Sequence, residues 1–497
     1  MRRLLGTLLL LPLLALAAGG SAAPADADSR FLAARDAYRT GERVKLSRLV
    51  DSLRGHEFEP WAEYWLLRLR LDEGVNDAVA DYLARNAGTY TAEKLRAEWL
   101  RKLAKDQDWT TFEREYPLLV QPDQDLACSA LQARLVRQQD PAALDEARPL
   151  WFSVVDLPDS CRPLMQDLFA AGRLSENDVW LRLRRLLEAK KLPAAKQLLA
   201  YLPAGSRPAP KLLDAVADAP ARYLAKLPKD FAASRASREL ALYAVQRSAR
   251  SDPGAAAGLW QGIEAKLGDE ERAYAWGQIA WQAALRHQPE ACGWFDRAGA
   301  SLSEEQMTWR VRAALRAGDW ARVTQAIGGM PPQLAAQPDW TYWLGRALEA
   351  QGRSEEAKAL FARIGGQPNF YSNLADEELG RPITVPPQAE PVTTEELMEA
   401  AGNAGLKRAL GLIRLDLRTE GVKEWNWSLR GLDDRHLLAA AELARRYDVY
   451  DRSINAAERT LAQHDFHLRY PAPFRDLVEP RARQLALDGG WVYGLMR

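Results

Sequence analysis

A 34-residue spacing of matched residues constrains the fold of this chain more than any other feature. Trp309 and Trp343 are 34 residues apart, and so are Gly318 and Gly352. Each glycine follows one segment of helical periodicity and precedes another, which is the pattern of a helix-turn-helix repeat. Because one helical hairpin cannot bury its own apolar face, successive hairpins must stack. The sequence therefore predicts an all-α fold built as a tetratricopeptide-like superhelix of helical hairpins.

Helical periodicity extends well beyond this repeat. It begins in the Trp-rich segment at residues 61–67, and alternating runs typical of strands are nearly absent. We expect most of the 17 tryptophans to pack between stacked hairpins, with sugar stacking as the alternative. Residues 383–392 read as an extended, proline-containing linker. Beyond it, Thr393 and Glu396 fit a capping box. Further helices are predicted over residues 395–417, 421–430, 434–446 and 448–463.

The charge balance argues against nucleic acid as a main partner, and the cysteine spacing argues against metal and redox sites. The chain has 67 basic and 67 acidic residues, so its net charge is zero. A protein whose main partner is nucleic acid is expected to have a basic face, and we expect no such partner. Its three cysteines include no C-x-x-C pair, which disfavours metal and redox chemistry. We therefore expect no metal and no cofactor.

The N-terminus has the features of a secretory signal. Arg2 and Arg3 precede the apolar run Leu4–Ala18, and small residues follow it. We predict a cleavable signal peptide over residues 1–25, with an uncleaved membrane anchor as the alternative. The mature chain is then exported without stable membrane insertion, and it is periplasmic in a cell with two membranes.

Two parts of the C-terminal third carry a resemblance to a known family. Residues 464–497 read HDFHLRYPAPFRDLVEPRARQLALDGGWVYGLMR. Within them, residues 469–476 and 487–497 resemble the start of the catalytic domain in the soluble lytic murein transglycosylases. Residues 424–427 and 450–457 resemble that family's linker domain. The resemblance implies four parts after the signal: a superhelical domain at 28–382, a linker at 383–392, a small helical domain at 393–465 and the start of a lysozyme-like domain at 466–497.

The resemblance also implies a reaction. The family cleaves the β-1,4 bond between N-acetylmuramic acid and N-acetylglucosamine in peptidoglycan and forms a 1,6-anhydro ring. One Glu acts as acid and then as base, within a Gln-Glu-Ser segment that follows the family's equivalent of residues 491–497. The chain ends at Arg497, two positions before that Glu. We therefore expect a chain without a catalytic residue, inactive alone, as a fragment of a longer enzyme or as a natural truncation.

The expected partners follow from the same family. They are peptidoglycan glycan strands, with cell-wall enzymes as further partners. An alternative function from a different class is a periplasmic tetratricopeptide-like scaffold that binds peptidoglycan or protein partners. If no domain covers the last helix, Trp491, Leu495 and Met496 are expected to be exposed and the helix to fray.

The cysteines have separate expected roles. The positions of Cys128 and Cys161 fit a paired cysteine in some relatives, so the resemblance implies a disulfide between neighbouring helical segments, which export would permit. Cys292 is expected to be a small buried hydrophobe.

Two groups of polar residues could be taken for catalytic or metal sites. His464, Asp465 and His467 form one, but zinc needs three or four converging ligands, and we expect a capped helix end instead. The adjacent carboxylates Asp433–Asp434 and Glu377–Glu378 form the other group. They are expected to cap helices or to point to different sides of one.

Overall fold

The structure, a computed structural model, describes residues 24–155, 157–383 and 387–497. The predicted signal peptide lies outside the described residues, except for its last two positions. All regular elements in the described ranges are helices, and the strand-like pairing there is one isolated parallel bridge between Gln388 and His464. Contacts divide the chain into two compact units. Unit 1 combines Met1–Gln121 with Gln388–Arg497, and unit 2 is Pro122–Pro387.

Unit 1 begins with six helices and resumes with eight more. The first six are α1 (Pro24–Thr40), α2 (Arg43–Ser52), α3 (Glu59–Arg70), α4 (Asn76–Arg85), α5 (Tyr90–Lys105) and α6 (Trp109–Glu115). The last eight are α24 (Thr394–Gly402), α25 (Ala404–Arg414), α26 (Arg418–Ser428), α27 (Asp434–Arg446), α28 (Tyr450–Ala457), α29 (Phe466–Arg469), α30 (Arg475–Gln484) and α31 (Gly489–Met496).

Unit 2 is a succession of helices joined by short turns. They are α7 (Gln124–Ala133), α8 (Ala142–Trp151), α9 (Cys161–Ala170), α10 (Glu176–Glu188), α11 (Leu192–Leu198), α12 (Pro210–Asp218), α13 (Pro220–Ala225), α14 (Arg235–Ala249), α15 (Pro253–Gln261), α16 (Asp269–Leu285), α17 (Ala291–Ala298), α18 (Glu304–Ala317), α19 (Trp320–Gly328), α20 (Pro332–Ala335), α21 (Pro338–Ala350), α22 (Ser354–Ile364) and α23 (Phe370–Glu378).

The predicted 34-residue repeat forms two helical hairpins of unit 2. Helices α18 and α19 make the first hairpin, and α21 and α22 make the second. Gly318 and Gly352 end the first helix of each pair with φ angles of 67° and 79°, a left-handed conformation that glycine adopts without steric cost. Buried Val323 in α19 and Ala357 in α22 occupy matching offsets. The prediction of an all-α fold of tetratricopeptide-like hairpins is confirmed.

Two predicted helices differ from the structure: the helix predicted at 448–463 is shorter, as α28 (Tyr450–Ala457), and the helix predicted at 395–417 is divided. Residues 395–417 form two helices, α24 and α25, which meet at Asn403. The backbone of Asn403 is extended, with φ −65° and ψ 113°, and its side-chain oxygen accepts from the N–H groups of Gly405 and Leu406 at 3.0 Å. Asparagine is a strong N-cap residue, so it starts a new helix where the apolar period alone continues. The capping box of Thr393 and Glu396 forms as predicted.

The tryptophans lie mostly inside the units. Nine of them have less than a tenth of their surface accessible, among them Trp99 in α5 and Trp260 in α15. All 17 lie in the part of the chain that the structure describes, and Trp491 is the one classed as exposed, at 56%. Packing between helices therefore accounts for most of these side chains.

A buried ion pair joins the two ends of the chain within unit 1. Glu424 of α26 accepts from Arg408 Nε and Nη2 of α25 at 3.0 and 2.9 Å. Its other oxygen accepts from the indole nitrogen of Trp61 in α3 at 2.8 Å. All three residues are buried, so each hydrogen bond replaces water that these polar groups have lost. The N-terminal helices and the helices after residue 403 therefore share one polar contact in their common interior.

Two glycines of α25 and α26 allow this close packing. A Cβ atom at Gly411 would lie 2.8 Å from the ring of Phe58, and one at Gly421 would lie 2.7 Å from the carbonyl oxygen of Ala409. Glycine inside a helix costs roughly 1 kcal/mol relative to alanine. Here it lets α26 approach the backbone of α25, and lets α25 approach Phe58.

The sequence-based domain boundaries at 28–382, 383–392, 393–465 and 466–497 stay a prediction, and the contacts group the first 121 residues with the last 110.

The buried pair yields a stability prediction. Replacing Glu424→Ala leaves the guanidinium of Arg408 buried without its counter-charge, and we expect unit 1 to lose about 3–5 kcal/mol of its free energy of unfolding. The measurement is urea unfolding followed by hydrogen exchange and mass spectrometry of peptides from α25 and α26. The matched control is Glu479→Ala, which breaks an exposed pair with Arg475 and should change the stability little, because solvent screens that pair. Equal losses in the two variants would contradict the role of the buried pair.

Candidate functional site

The last two long helices of unit 1 present an apolar surface to solvent. Helix α30 begins after Phe474, whose φ of 56° turns the chain. Helix α31 begins after its N-cap Asp488, whose carboxylate accepts from the N–H of Trp491 at 2.8 Å. We call the exposed side chains of this region the C-terminal apolar face: Tyr470, Phe474, Leu477, Leu485, Leu487, Trp491, Leu495 and Met496. Trp491, Leu495 and Met496 are exposed, as the sequence predicts for a last helix that no domain covers.

Few contacts hold α31 in place. It has no buried residue, and Arg497 after it pairs with Glu458 and stacks 4.3 Å from the ring centre of Tyr470. In α30, the buried residue is Ala482. An apolar surface of this kind is typical of a site that another domain or molecule covers.

The residues around His464 form a capped helix end. Asp465 accepts from the N–H groups of His467 and Leu468, at 2.9 and 3.1 Å, at the start of α29. The His464 ring is buried, and its Nδ1 lies 3.3 Å from the Thr460 hydroxyl. Burial and the nearby positive charge of Arg469 lower the pKa of His464. A neutral, buried imidazole beside a helix cap has a structural role here.

The adjacent carboxylates also have structural partners. Asp433 caps α27 by accepting from the N–H of His436 at 3.0 Å. Although partial burial alone would raise the pKa of Asp434, backbone N–H donors at Gln463, Leu461 and Ala462 hold it below its usual value. That carboxylate therefore fixes the loop after α28.

In unit 2, Glu378 is paired and Glu377 is exposed. The Glu378 carboxylate accepts from Arg346 at 2.7 Å and from the Tyr342 hydroxyl at 3.1 Å. The two neighbours therefore point to different surroundings, and they do not form a pair of acid and base.

Three glutamates in the described ranges have the raised pKa that a general acid needs. Burial raises the pKa of Glu98, Glu188 and Glu424. Glu98 accepts from the Tyr64 hydroxyl at 3.1 Å, and Glu188 accepts from the Gln278 amide at 3.0 Å. Each carboxylate is bound to partners of its own unit inside the protein. None of the three is placed at an open surface where a substrate could receive its proton.

In the described ranges, no group of three or more His, Cys, Asp or Glu side chains is placed to hold a metal ion. Across those same residues, no helix combines the length and apolar character needed to cross a bilayer.

A disulfide joins two helices of unit 2. The structure links Cys128 of α7 to Cys161 of α9, the pair that the resemblance implies, and both cysteines are fully buried. Cys292 is a free, buried thiol, and burial raises its pKa.

The buried trio of Glu424, Arg408 and Trp61 was not found from sequence, although Glu424 opens one of the segments that carry the resemblance.

Comparison with known proteins places this geometry among known folds. No family model matches the sequence. The soluble lytic murein transglycosylase of Salmonella typhimurium is 22% identical over 479 residues, which is 94% of this chain and 73% of that protein. The enzyme of the same name from Escherichia coli K12 is 22% identical over 461 residues, 91% of this chain and 70% of its own.

Solved structures agree with these relatives. An inactive mutant of the lytic transglycosylase Slt from Pseudomonas aeruginosa matches with a TM-score of 0.73 and 26% identity, over 93% of this chain and 76% of that one. The 70 kDa soluble lytic transglycosylase of Escherichia coli matches with a TM-score of 0.61 and 20% identity, over 93% and 75% of the two chains.

The apolar face yields a prediction about local stability. Because α31 buries no side chain, its amide hydrogens should exchange at least about tenfold faster than those of α27, which has seven buried residues. Hydrogen exchange with mass spectrometry of peptides from 487–497 and 434–446 measures the difference. Equal protection in the two peptides would show that α31 is held by interactions that the structure does not contain.

The disulfide yields a second prediction. It closes a loop over a sequence separation of 33, and its loss should lower the free energy of unfolding of unit 2 by about 3–4 kcal/mol. The measurement is denaturant unfolding of the double variant Cys128→Ala, Cys161→Ala. The control Cys292→Ala removes a buried thiol without opening a cross-link, and it should cost about 1 kcal/mol. A double variant no less stable than this control would contradict the prediction.

Proposed function

We propose that this chain, which belongs to the soluble lytic murein transglycosylase family, acts on peptidoglycan in the periplasm as the superhelical and linker part of a lytic transglycosylase. The observation that carries the proposal is a match to murein transglycosylases over 94% of the chain, joined to a TM-score of 0.73 against one of their solved structures. The reaction we assign is the family's: cleavage of the bond between N-acetylmuramic acid and N-acetylglucosamine, with formation of the 1,6-anhydro product.

The periplasmic part of the proposal rests on the N-terminal sequence. Arg2 and Arg3 followed by the apolar run Leu4–Ala18 are typical of a secretory signal. A disulfide between Cys128 and Cys161 is compatible with the oxidising compartment to which such a signal leads.

We further propose that residues 1–497 do not cleave glycan by themselves. The segment 491–497 resembles the residues that precede the family's catalytic Glu, and that Glu is not among the 497 residues. The carboxylates near this segment have other roles, since Glu479 pairs with Arg475 and Asp488 caps α31. The buried glutamates with a raised pKa are likewise held by neighbours. On this proposal, the C-terminal apolar face is the surface on which the family's lysozyme-like lobe continues.

The test measures binding and cleavage separately. Purified protein covering residues 26–497 is mixed with isolated peptidoglycan sacculi, and the sacculi are collected by centrifugation. We expect the protein to co-sediment with the sacculi. Mass spectrometry of the supernatant should show no 1,6-anhydromuropeptides, because general acid catalysis needs a carboxyl group within hydrogen-bond reach of the leaving oxygen.

Two controls make this result decisive. A lytic transglycosylase with its catalytic Glu, added to the same sacculi, must release anhydromuropeptides. Heat-unfolded protein, cleared of aggregates by centrifugation before mixing, must not co-sediment with the sacculi. Anhydromuropeptides from residues 26–497 would contradict the proposed inactivity, and a protein that stays in the supernatant would contradict the proposed action on peptidoglycan.

The tetratricopeptide-like hairpins support a second candidate function. Stacked hairpins such as α18–α19 and α21–α22 form extended concave surfaces that bind other proteins. A periplasmic scaffold would retain protein partners from an extract from which peptidoglycan had been removed. Retention of such partners, together with failure to co-sediment with sacculi, would favour the scaffold over the lytic transglycosylase part.

A further inference from the structure

A cleft of about 330 Å³ opens in unit 2 beside the first repeat hairpin. It lies between the end of α16, the start of α17 and one face of α18, and Trp309, Arg312 and Arg316 of α18 are part of its wall. Its volume is within the range of roughly 300–1,000 Å³ that small-molecule pockets occupy. The cleft is therefore large enough for a compact ligand of a few residues.

The wall of this cleft carries positive charge without a counter-charge. It includes the two arginines, and no Asp or Glu. Within the described residues, Arg316 has no hydrogen bond or ion pair, and Arg312 makes one hydrogen bond, from Nη1 to the Thr308 hydroxyl at 3.1 Å. Residues four apart share a face of a helix, so both guanidinium groups lie on the side of α18 that faces the cleft. This arrangement suits an anion, and planar guanidinium groups suit a carboxylate in particular.

The Arg312 side chain is held in place by aromatic rings. Its guanidinium carbon lies 5.0 Å from the ring centre of Trp309 and 5.3 Å from that of Trp340. The Trp309 indole is itself fixed by a hydrogen bond to Glu305 at 2.9 Å, which occupies that carboxylate. A side chain that is ordered before binding loses less conformational entropy when a ligand arrives. Arg312 is therefore preorganised.

A solvated helical face would account for two exposed arginines on α18. It would not account for the Arg312 guanidinium, which lies over the rings of both Trp309 and Trp340. Nor would it account for a concave wall that includes both arginines and no carboxylate.

We propose that the cleft binds a short peptide with a free carboxylate, and specifically the peptide stem of peptidoglycan. Arg312 and Arg316 bind the carboxylate, and Trp309 packs against the body of the ligand. The assignment to the peptide stem rests on the proposed function, whereas the preference for a carboxylate rests on the cleft alone. The site would hold glycan strands through their peptides, at a place separate from the family's glycosidic chemistry.

Isothermal titration of purified residues 26–497 tests the proposal with four probes. These are tri-alanine, tri-alanine amide, a soluble disaccharide-peptide fraction of digested peptidoglycan, and chitobiose as a neutral sugar without a peptide. We expect tri-alanine and the disaccharide peptides to bind at least about tenfold more tightly than the amide and chitobiose, a ratio that corresponds to about 1.4 kcal/mol. Arg316→Gln should weaken both of the tighter ligands about tenfold. Arg353→Gln removes an exposed charge of the same unit outside the cleft and should change neither.

The outcomes separate the cleft from its ligand and from the proposed function. Equal binding of tri-alanine and its amide, or an Arg316→Gln variant that binds like the unmodified protein, would overturn the site. Binding of tri-alanine without binding of disaccharide peptides would overturn the stem and indicate the carboxyl terminus of a protein. Sacculus co-sedimentation by a chain that binds none of the four probes would leave the proposed function standing and overturn this inference. Arg316 is exposed, and an unchanged melting temperature of the variant shows that it folds.

Discussion

A helical hairpin buries only part of its apolar surface, and this constraint determines how the whole chain is arranged. In unit 2 each hairpin is covered by the next, so that one cluster of buried residues runs from Cys128 to Ala298 and further clusters follow along the later hairpins. In unit 1 the helices at the start of the chain are covered by helices from its end. The hydrogen bonds of Glu424 with Arg408 and Trp61 lie where these early and late helices of unit 1 meet. Removing any one of these partners would leave a buried polar group uncompensated, which is costly.

Because helices must cover one another, the carboxylates with a raised pKa lie inside the units, away from the open surfaces. The carboxylates with a raised pKa are the ones that hold helices together, and they are enclosed by their partners. Two of the open surfaces have distinct chemistry: the C-terminal apolar face of unit 1 and the arginine-lined cleft of unit 2. The residues that define these two surfaces include no Asp or Glu. The two surfaces therefore suit different ligands.

Local periodicity was sufficient to predict much of this fold. The hairpins of residues 309–361 follow from apolar residues at helical spacing and from glycines at matching offsets, and all of these are local signals. The break at Asn403 was missed because the apolar period continues through it, whereas the cap depends on one side-chain oxygen. The contact of Trp61 with Glu424 spans 363 positions, and no local pattern in the sequence indicates that two residues so far apart are in contact. The cleft was missed for another reason: arginines four apart on a helix are usual on solvated faces, and the stacking of Arg312 on Trp340 is visible only in three dimensions.

The pairing of α3 with α26 also affects how the chain reaches its native state. Synthesis proceeds from the N-terminus, so the aromatic residues of α1–α5 emerge long before the helices that cover them. The entropy cost of closing so long a loop rises only slowly with its length, but contacts between distant residues form late and slow the folding of the domain that needs them. Until residue 424 arrives, Trp61 and Phe58 belong to an incomplete core with open apolar surface, the kind of intermediate that associates with other chains or with chaperones. Unit 2, whose contacts are between neighbouring hairpins, can therefore fold before the last helices of unit 1 are synthesised.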